Sequence, residues 1–453
     1  MKVGLAIGIA VFQIVLLSAP VAGEDARPVE FEAIERWAPA AALPIDARRP
    51  GLGAGPALNR LIGKADIVVL GEALHGSREP LEVRNALFKY LVETMGFTAI
   101  AIESGIVEGF AADDYVQGGP GTAKEAASRG ITFGFNVLPQ QAELLEWMRA
   151  YNADPGHSKK IAFYGMDVSV PASTTAPQAL DLALRYLGSV DAAKAAALQQ
   201  RLAPHRAFLN IDRRRGGDQN YTALPQPERD AVTAVIADLL NELATHEGAY
   251  GAAAGAAAFD RGYSFAVAAQ QADAYLRQFP VGWKPADGAV LSTVAVADRA
   301  KSDNIDWILG HRQRILVFSH FGHAAHTPVS VAMPGASQVT MPPMVGTYLQ
   351  RHYGDRALVI GQLIGEDRTS CTAPRPPAAA QTLEAVLQRA TAAEASLLDL
   401  RTAPAAVRAS LTAPHDLYGQ QPTHSLSIGE GAEIILFTRT ATPALPCASI
   451  RQN

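Results

Sequence analysis

The sequence predicts an α/β fold of three layers: a mostly parallel sheet with helices on both faces, plus a helical insertion subdomain over the site. Short apolar runs rich in β-branched residues recur along the chain, as is typical of buried strands. A segment of helical periodicity separates the first two runs, and a strand–helix–strand unit implies parallel strands. The long stretch 178–274 has helical periodicity and no good strand pattern.

The first strand–helix–strand unit shows how the elements are placed. The run at 65–71 ends in glycine, and a helix is expected from about 79 to 95, with Pro80 in its first turn and Gly96 as its stop. The second strand is expected at 97–103. Further strand candidates lie at 160–167, 314–320, 357–363, 395–400 and 433–438, and residues 367–380 are expected to form a loop.

The N-terminus has the pattern of a secretory signal peptide. Residues 1–23 contain one lysine, a short apolar run and small residues before Glu24. The alternative is a membrane anchor, but the run is shorter than the ~20 apolar residues of a membrane span. We expect a periplasmic or secreted protein with no stable membrane insertion after cleavage. The expected divisions are 1–23 (signal peptide), 24–60 (surface segment), 61–176 and 291–453 (the two parts of the α/β core) and 177–290 (helical subdomain).

The composition narrows the classes of function. Of 453 residues, 48% are hydrophobic and 18% are charged, which indicates a globular chain with an ordinary apolar core. The net charge of −5 argues against a nucleic-acid binder, because such proteins carry a basic excess. Cys371 and Cys447 are too few for a disulfide framework or a four-thiolate zinc site. Export would permit a disulfide between them, and the sequence leaves open whether they are close.

Ionisable residues stand at the carboxyl ends of four predicted strands. In open parallel sheets the ligand site lies outside these ends, so we expect one shared site there. In chain order the residues are Glu72 with His75, Glu103, Asp167, and His320 with His323.

Arg84 adds an independent signal. On the wheel of the first helix it lies in the apolar stripe with Leu81 and Leu91, where a guanidinium must be paired. Glu72 and Glu103 are its expected partners, and a purely structural ion pair is the alternative role. The opposite arc of the wheel is polar: Glu82, Asn85, Lys89 and Glu93.

These residue types favour hydrolysis by activated water. No Gly-x-Ser-x-Gly pentapeptide is present, which excludes a nucleophile-elbow serine hydrolase, and both cysteines lie late in the chain. His75 is the candidate general base, with its tautomer fixed by a carboxylate. Arg84 or His320 would stabilise the oxyanion. This chemistry requires no cofactor.

A metal- or haem-binding protein, or a metal-dependent hydrolase, is the alternative. Glu72-x-x-His75 has the spacing of a helical metal pair, and His320, His323 and His326 form an array spaced like ligands. Against it, both patterns begin where a strand ends, and the helical i, i+3 geometry does not hold there.

Several segments together resemble the erythromycin esterase family over roughly residues 60–440. The specific combination is Gly-Glu-x-x-His-Gly at 71–76 with the later His-x-x-His at 320–323. The resembling segments are Leu70-Gly-Glu-Ala-Leu-His-Gly76, Glu79, Arg84, residues 91–103, Tyr164-Gly-Met-Asp167, Asp298-Arg299, Asp303-Asn304, Val317-Phe-Ser-His-Phe-Gly-His323 and residues 346–354.

The resemblance implies a hydrolase that opens a macrolide lactone, and so an antibiotic-resistance activity, without a required metal. It assigns His75 as general base, with Glu72, Arg84, Glu103 and His320 as the residues that support it. His323, Asp167 and Phe321 are expected to bind the substrate. Two departures lie near the expected cleft: Phe321 stands where the family often has Asn, and Leu74 where many relatives have Thr or Ser. The expected partner is a small-molecule ester or lactone.

Overall fold

The computed structural model describes residues 31–46, 49, 54–168, 175–209, 221, 224–278, 288–332, 338–371, 375–420 and 423–447. The expected signal peptide lies outside these residues. None of the helices in the described ranges is long and apolar enough to cross a membrane.

An eight-stranded sheet forms the centre of the molecule. Its spatial order is β1-β9-β12-β8-β2-β5-β3-β4, and the six strands from β12 to β4 are parallel. β9 runs antiparallel between β1 and β12. The strands are β1 (Leu43–Ile45), β2 (Ile67–Glu72), β3 (Ala99–Gly105), β4 (Ala162–Asp167), β5 (Ile315–His320), β8 (Ala357–Asp367), β9 (Ala395–Asp399) and β12 (Ile434–Ala441).

Helices cover both faces of this sheet, which confirms the predicted three-layer α/β class. Alternate residues of β2 enter different cores: Ile67 and Val69 on one face, Val68 and Leu70 on the other. The first face is covered by α1 (Glu32–Ala41), α12 (Gly288–His311), α14 (Val345–Tyr353), α15 (Leu383–Ala390) and α16 (Ala405–Thr412), and the second by α2 (Gly55–Ile62), α3 (Arg78–Met95), α5 (Ala123–Gly130) and α6 (Pro139–Ala153).

The first strand–helix–strand unit forms as its sequence indicates. The expected strand, helix and strand at 65–103 are β2, α3 and β3, and α3 ends at Gly96 in the left-handed conformation with φ of 72°. The other strand candidates correspond to β4, β5, β8, β9 and β12, with β8 extending four residues past its expected end at 363.

Helices also occupy the described part of 175–278. They share a core with the first turns of α4 (Ile106–Val116), which leads away from β3. In chain order they are α7 (Thr175–Val190), α8 (Ala192–Leu202), α9 (Gln226–Thr245), α10 (Glu247–Ala254) and α11 (Ala256–Gln278).

The structure contains a second, small antiparallel sheet that the sequence did not predict. Its order is β10-β11-β6-β7, and each strand has three or four residues, too short to produce a clear period-two pattern. Its strands are β6 (Ser330–Ala332), β7 (Gln338–Thr340), β10 (Pro414–Asp416) and β11 (His424–Ser427), and the short helices α13 (Phe321–Ala324) and α17 (Ile428–Gly431) adjoin it in the chain.

The N-terminal segment contributes to the core as well as to the surface. Ile34 and Ala38 of α1 are buried, and β1 adds an edge strand that pairs with β9. The described part of 24–60 therefore closes one edge of the sheet.

A disulfide between Cys371 and Cys447 answers the question that the sequence left open. It joins the loop after β8 to the C-terminal tail after β12. The same tail is hydrogen-bonded to the turn after β2, through Ala444 N to Gly76 O at 2.9 Å and Arg78 N to Thr442 O at 2.8 Å. The turn that carries His75 is thus tied to the far end of the chain.

Candidate active site

Strand order brings the polar residues to one edge of the sheet. β5 lies between β2 and β3, and Glu72 is in register with His320 across the β2–β5 pair. β4 follows β3, so the carboxyl ends of four neighbouring parallel strands meet, as expected for an open α/β sheet.

His75 and Glu72 form the first functional pair. His75 Nδ1 lies 2.6 Å from Glu72 Oε2, so Nδ1–H donates to the carboxylate and Nε2 is left for another partner. Partial desolvation of the ring acts to lower the pKa of His75, but the charge and hydrogen bond of Glu72 and the charge of Glu103 outweigh it and raise this pKa to about 9. The side chain is 41% exposed, so it stands at the solvent boundary.

Glu103, on β3, is hydrogen-bonded to the end of the neighbouring strand β5. Its Oε2 accepts a 2.9 Å hydrogen bond from the backbone N–H of His320, and its Oε1 lies 3.6 Å from His323 Nε2. Burial would raise the pKa of Glu103, but the charges of His323, Lys301 and His75 lower it to about 2. Glu103 is therefore a permanent anion at the centre of the strand ends.

His320 is a neutral imidazole with a fixed tautomer. Its Nδ1 accepts the backbone N–H of Gly322 at 3.2 Å, which leaves the proton on Nε2. Burial and the neighbouring charges of His424, His75 and His323 hold its pKa well below the ordinary value. The His320 ring lies 5.0 Å from the ring of His75 and 4.8 Å from that of His424, a residue that the sequence did not single out.

Arg84 is fully buried, as its place on the helical wheel predicts, but its partner differs from the expectation. No carboxylate in the described residues forms an ion pair with it; Nε and Nη2 instead donate to Asn85 Oδ1 at 3.0 and 2.7 Å. Asn85 Nδ2 in turn donates to the backbone oxygen of Gln140 at 2.8 Å. Burial lowers the pKa of Arg84 to about 10, against the charge of Glu72, and the guanidinium stays protonated.

Asn85 is therefore a site residue that sequence reasoning missed. It was assigned to the polar arc of α3, yet it is 6% exposed because α6 covers this part of the helix. Arg84 Nη1 has no hydrogen-bond partner among the described residues. Asn85 thus fixes one side of the guanidinium, whose Cζ also lies 4.9 Å from the centre of the Phe318 ring.

A buried lysine forms ion pairs with three carboxylates. Lys301 Nζ lies 3.3 Å from Asp167, 3.7 Å from Asp298 and 3.9 Å from Glu103. Burial would lower the pKa of Lys301, but the three carboxylates raise it above its ordinary value. Asp167, expected to bind substrate, is 1% exposed and belongs to this ion-pair cluster instead.

Asp298 and Lys301 are central residues to which sequence reasoning gave no role in the site. They lie one turn apart on α12, in the stripe that also contains Ile305 and Ile308. The wheel argument that singled out Arg84 applies to this helix too and would have found both.

The three histidines of the alternative metal array have different partners. His323 Nδ1 lies 2.8 Å from Asp298 Oδ1, whereas His326 Nε2 lies 3.1 Å from Glu433 Oε1. Across the described ranges, no group of three or more His, Cys, Asp or Glu side chains is arranged to hold a metal ion. The charge of Asp298 raises the pKa of His323 against the effect of burial.

Phe321 is a core residue, which corrects its expected role in substrate binding. It is fully buried, and a Cβ at Gly71 or Gly361 would lie 2.7 or 2.2 Å from its ring. Glycine on two neighbouring strands therefore leaves the slot that Phe321 fills. Leu74, the other departure from the family pattern, packs against the small cluster of Ala73, Ile364 and Ala441.

A small pocket brings together Glu72, His75, Arg84 and Glu103. We expected the helical segment 177–290 to lie over the site, but the lining residues in the described part of the chain come from elsewhere. They are Glu72, His75, Gly76, Leu81, Arg84, Ile102, Glu103, Phe135, Leu138, Gln141, Phe318 and Ser319.

Comparison with known proteins places this chain in a family. The family model for erythromycin esterase matches residues 92–427, well over half of the chain. The chain belongs to the erythromycin esterase family. The match begins after Glu72, His75 and Arg84, so only their geometry in the structure supports assigning these three residues to the site. Membership of the family supports an esterase-like hydrolase with a small-molecule substrate.

Individual relatives agree with the family. Erythromycin esterase type II from Escherichia coli is 31% identical over 112 residues, which is 24% of this chain and 25% of that protein. The match spans about a quarter of the relative's length.

Solved structures show the same fold. A protein from Bacillus cereus superposes with a TM-score of 0.74 at 21% identity, covering 91% of this chain and 98% of that one. A structure described as a succinoglycan biosynthesis protein gives 0.72 at 21% identity, with coverage of 91% and 97%. An erythromycin esterase mutant in its open conformation gives 0.65 at 17% identity, with coverage of 88% and 96%.

Replacing Lys301 tests its ion-pair cluster with Asp167, Asp298 and Glu103. Lys301→Met leaves three buried carboxylates without their cation, so we expect the free energy of unfolding to fall by about 3–5 kcal/mol in urea titrations. The matched control is Arg299→Met on the same helix, whose ion pair with Asp303 is exposed and should change stability by no more than about 1 kcal/mol. Equal effects of the two substitutions would contradict the cluster.

Proposed function

We propose that this protein is an exported hydrolase that opens an ester or macrolactone with water activated by His75, without a required metal. One observation carries the proposal: the His75–Glu72 pair, at 2.6 Å, lines the same pocket as Arg84. A base with a free Nε2 and a cation with a free nitrogen are the two groups that ester hydrolysis by water needs.

The reaction follows from this arrangement. Neutral His75 takes a proton from water at Nε2 while the water oxygen bonds to the ester carbonyl carbon. The imidazolium formed is stabilised by Glu72 through Nδ1–H. When the tetrahedral intermediate collapses, the carbon–oxygen bond to the alcohol breaks and His75 returns its proton to the leaving oxygen. Ester and water become acid and alcohol.

Two donors are available to the developing oxyanion. Arg84 Nη1 has no hydrogen-bond partner among the described residues, and Asn85 holds the guanidinium from the other side. His320 presents Nε2–H because its Nδ1 is already an acceptor, so it serves as a donor and not as a second base. Donors fixed before the reaction are effective because they need no reorganisation in the transition state.

Export is supported by the signal-peptide pattern at 1–23 and by the disulfide. Disulfides persist in the periplasm and outside the cell, whereas cytosolic thiols are kept reduced. Cys371 and Cys447 are bonded in the structure, which agrees with an oxidising compartment.

The activity is tested directly with a panel of esters and macrolactones, followed by mass spectrometry for the gain of one water. We expect wild-type turnover of at least one compound and a loss of about 10²–10⁴ in kcat for His75→Asn, the usual effect of removing a general base. His352→Asn is the control, since this histidine is similarly exposed and lies outside the pocket. Near-normal turnover by His75→Asn would refute its role.

The pH dependence tests the His75–Glu72 pair. A general base acts in its unprotonated form, so kcat/KM should rise with pH through about 9, the raised pKa of His75. Glu72→Gln removes the charge that raises this pKa, so the rise should move to lower pH. Glu93→Gln, an exposed change on α3, should leave the profile in place. An unshifted profile for Glu72→Gln would contradict the pairing.

Chelation separates this mechanism from the metal-dependent alternative. If His75 acts on water alone, activity should survive exhaustive dialysis against EDTA, with metal content followed by plasma mass spectrometry. Loss of activity with chelator and its return with zinc or manganese would favour a metal-dependent hydrolase.

A further inference from the structure

Two buried polar side chains of the pocket present unsatisfied atoms. Within the described ranges, Arg84 Nη1 and Gln141 Oε1 have no hydrogen-bond partner, and the two residues are 0% and 2% exposed. Both line the pocket that contains His75. The hydrolytic steps above use Arg84 but give Gln141 no role.

An unsatisfied buried amide needs an explanation, because the great majority of buried polar atoms in proteins are hydrogen-bonded. Gln141 lies in the first turn of α6, and the wall beside it is apolar, with Phe135 and Leu138 preceding it in the chain. An apolar residue would fill this position without cost if the pocket accepted only hydrocarbon. Among the glutamines with a buried, unpaired Oε1 in the described ranges, Gln141 is the one that lines this pocket, where its amide can meet a polar group of the ligand.

Depth in the pocket indicates which half of the ester meets Gln141. His75 is 41% exposed and marks the mouth, whereas Arg84 and Gln141 are buried and mark the floor. With the carbonyl oxygen on Arg84, the alcohol faces His75, which must protonate it, and leaves through the mouth. The acyl chain then extends along the floor.

We infer that Gln141 determines specificity by binding a hydroxyl on the acyl part of the ester, so the substrates are hydroxyacyl esters or lactones. The inference rests on the proposed function. A hydroxyl fits because it can donate to the amide oxygen or accept from the amide nitrogen. A site built to bond a hydroxyl discriminates strongly against the analogue that lacks it, since the buried amide is then left unpaired.

The test compares two esters that differ by one hydroxyl, ethyl 3-hydroxybutyrate and ethyl butyrate. For wild type we expect kcat/KM to favour the hydroxy ester by about tenfold, the factor of one hydrogen bond to a buried neutral group. In Gln141→Met, which keeps the chain length and removes the amide, the ratio should fall to about one through loss of the hydroxy ester. Gln141→Leu is a second variant in case the first does not fold.

Gln140→Met is the matched control. Gln140 is the neighbouring glutamine, it is also buried with an unpaired Oε1 among the described residues, and its side chain does not line the pocket. Its variant should keep the wild-type ratio, whatever its effect on the absolute rates. The substitution leaves the backbone oxygen that binds Asn85 in place.

The possible outcomes distinguish failure of the role assigned to Gln141 from failure of the proposed ester hydrolysis. Equal turnover of both esters by wild type, or a preference that survives in Gln141→Met, overturns the role of Gln141 and leaves ester hydrolysis standing. Turnover of no ester in the wider panel overturns the proposed function, and the inference with it. A preference that Gln140→Met also abolishes would show a general effect of α6 and would likewise overturn the assignment.

Discussion

The buried charge of Lys301 is the interaction on which the rest of the site depends. Asp167, Asp298 and Glu103 all lie within 4 Å of its amino group. Without a cation, carboxylates this close and this buried would take up protons. Because Glu103 stays ionised, it can hold the backbone of His320 and attract His323. A helix outside the sheet thus sets the charge state of groups at its strand ends.

The groups proposed to act on the ester share one design. Each is held at one end by a buried partner. Glu72 holds Nδ1 of His75, Asn85 holds two nitrogens of Arg84, and the backbone of Gly322 holds Nδ1 of His320. Such support fixes orientation before a ligand arrives, which is the condition for effective electrostatic stabilisation.

The sequence by itself determined the elements and most of the reactive groups. Buried strands and α3 follow from local periodicity and from the glycine at 96, because burial and backbone preference are properties of short segments. Glu72, His75, Glu103 and His320 were placed at strand ends for the same reason. The burial of Arg84 followed from its position on the helical wheel, since neighbours in the apolar stripe face the core.

Only the tertiary structure decided which of these groups meet. Glu103 and His320 are 217 residues apart, and their contact exists because β5 is inserted between β2 and β3, an order that local patterns do not encode. The same holds for Asn85. The helical wheel places it on the polar side of α3, but α6 packs over it in the folded protein. Phe321 was predicted to line the cleft, but in the structure its ring packs against two glycines that are distant in sequence. Segment patterns report whether a side chain is buried, whereas its partners depend on strand order and helix docking across the whole chain.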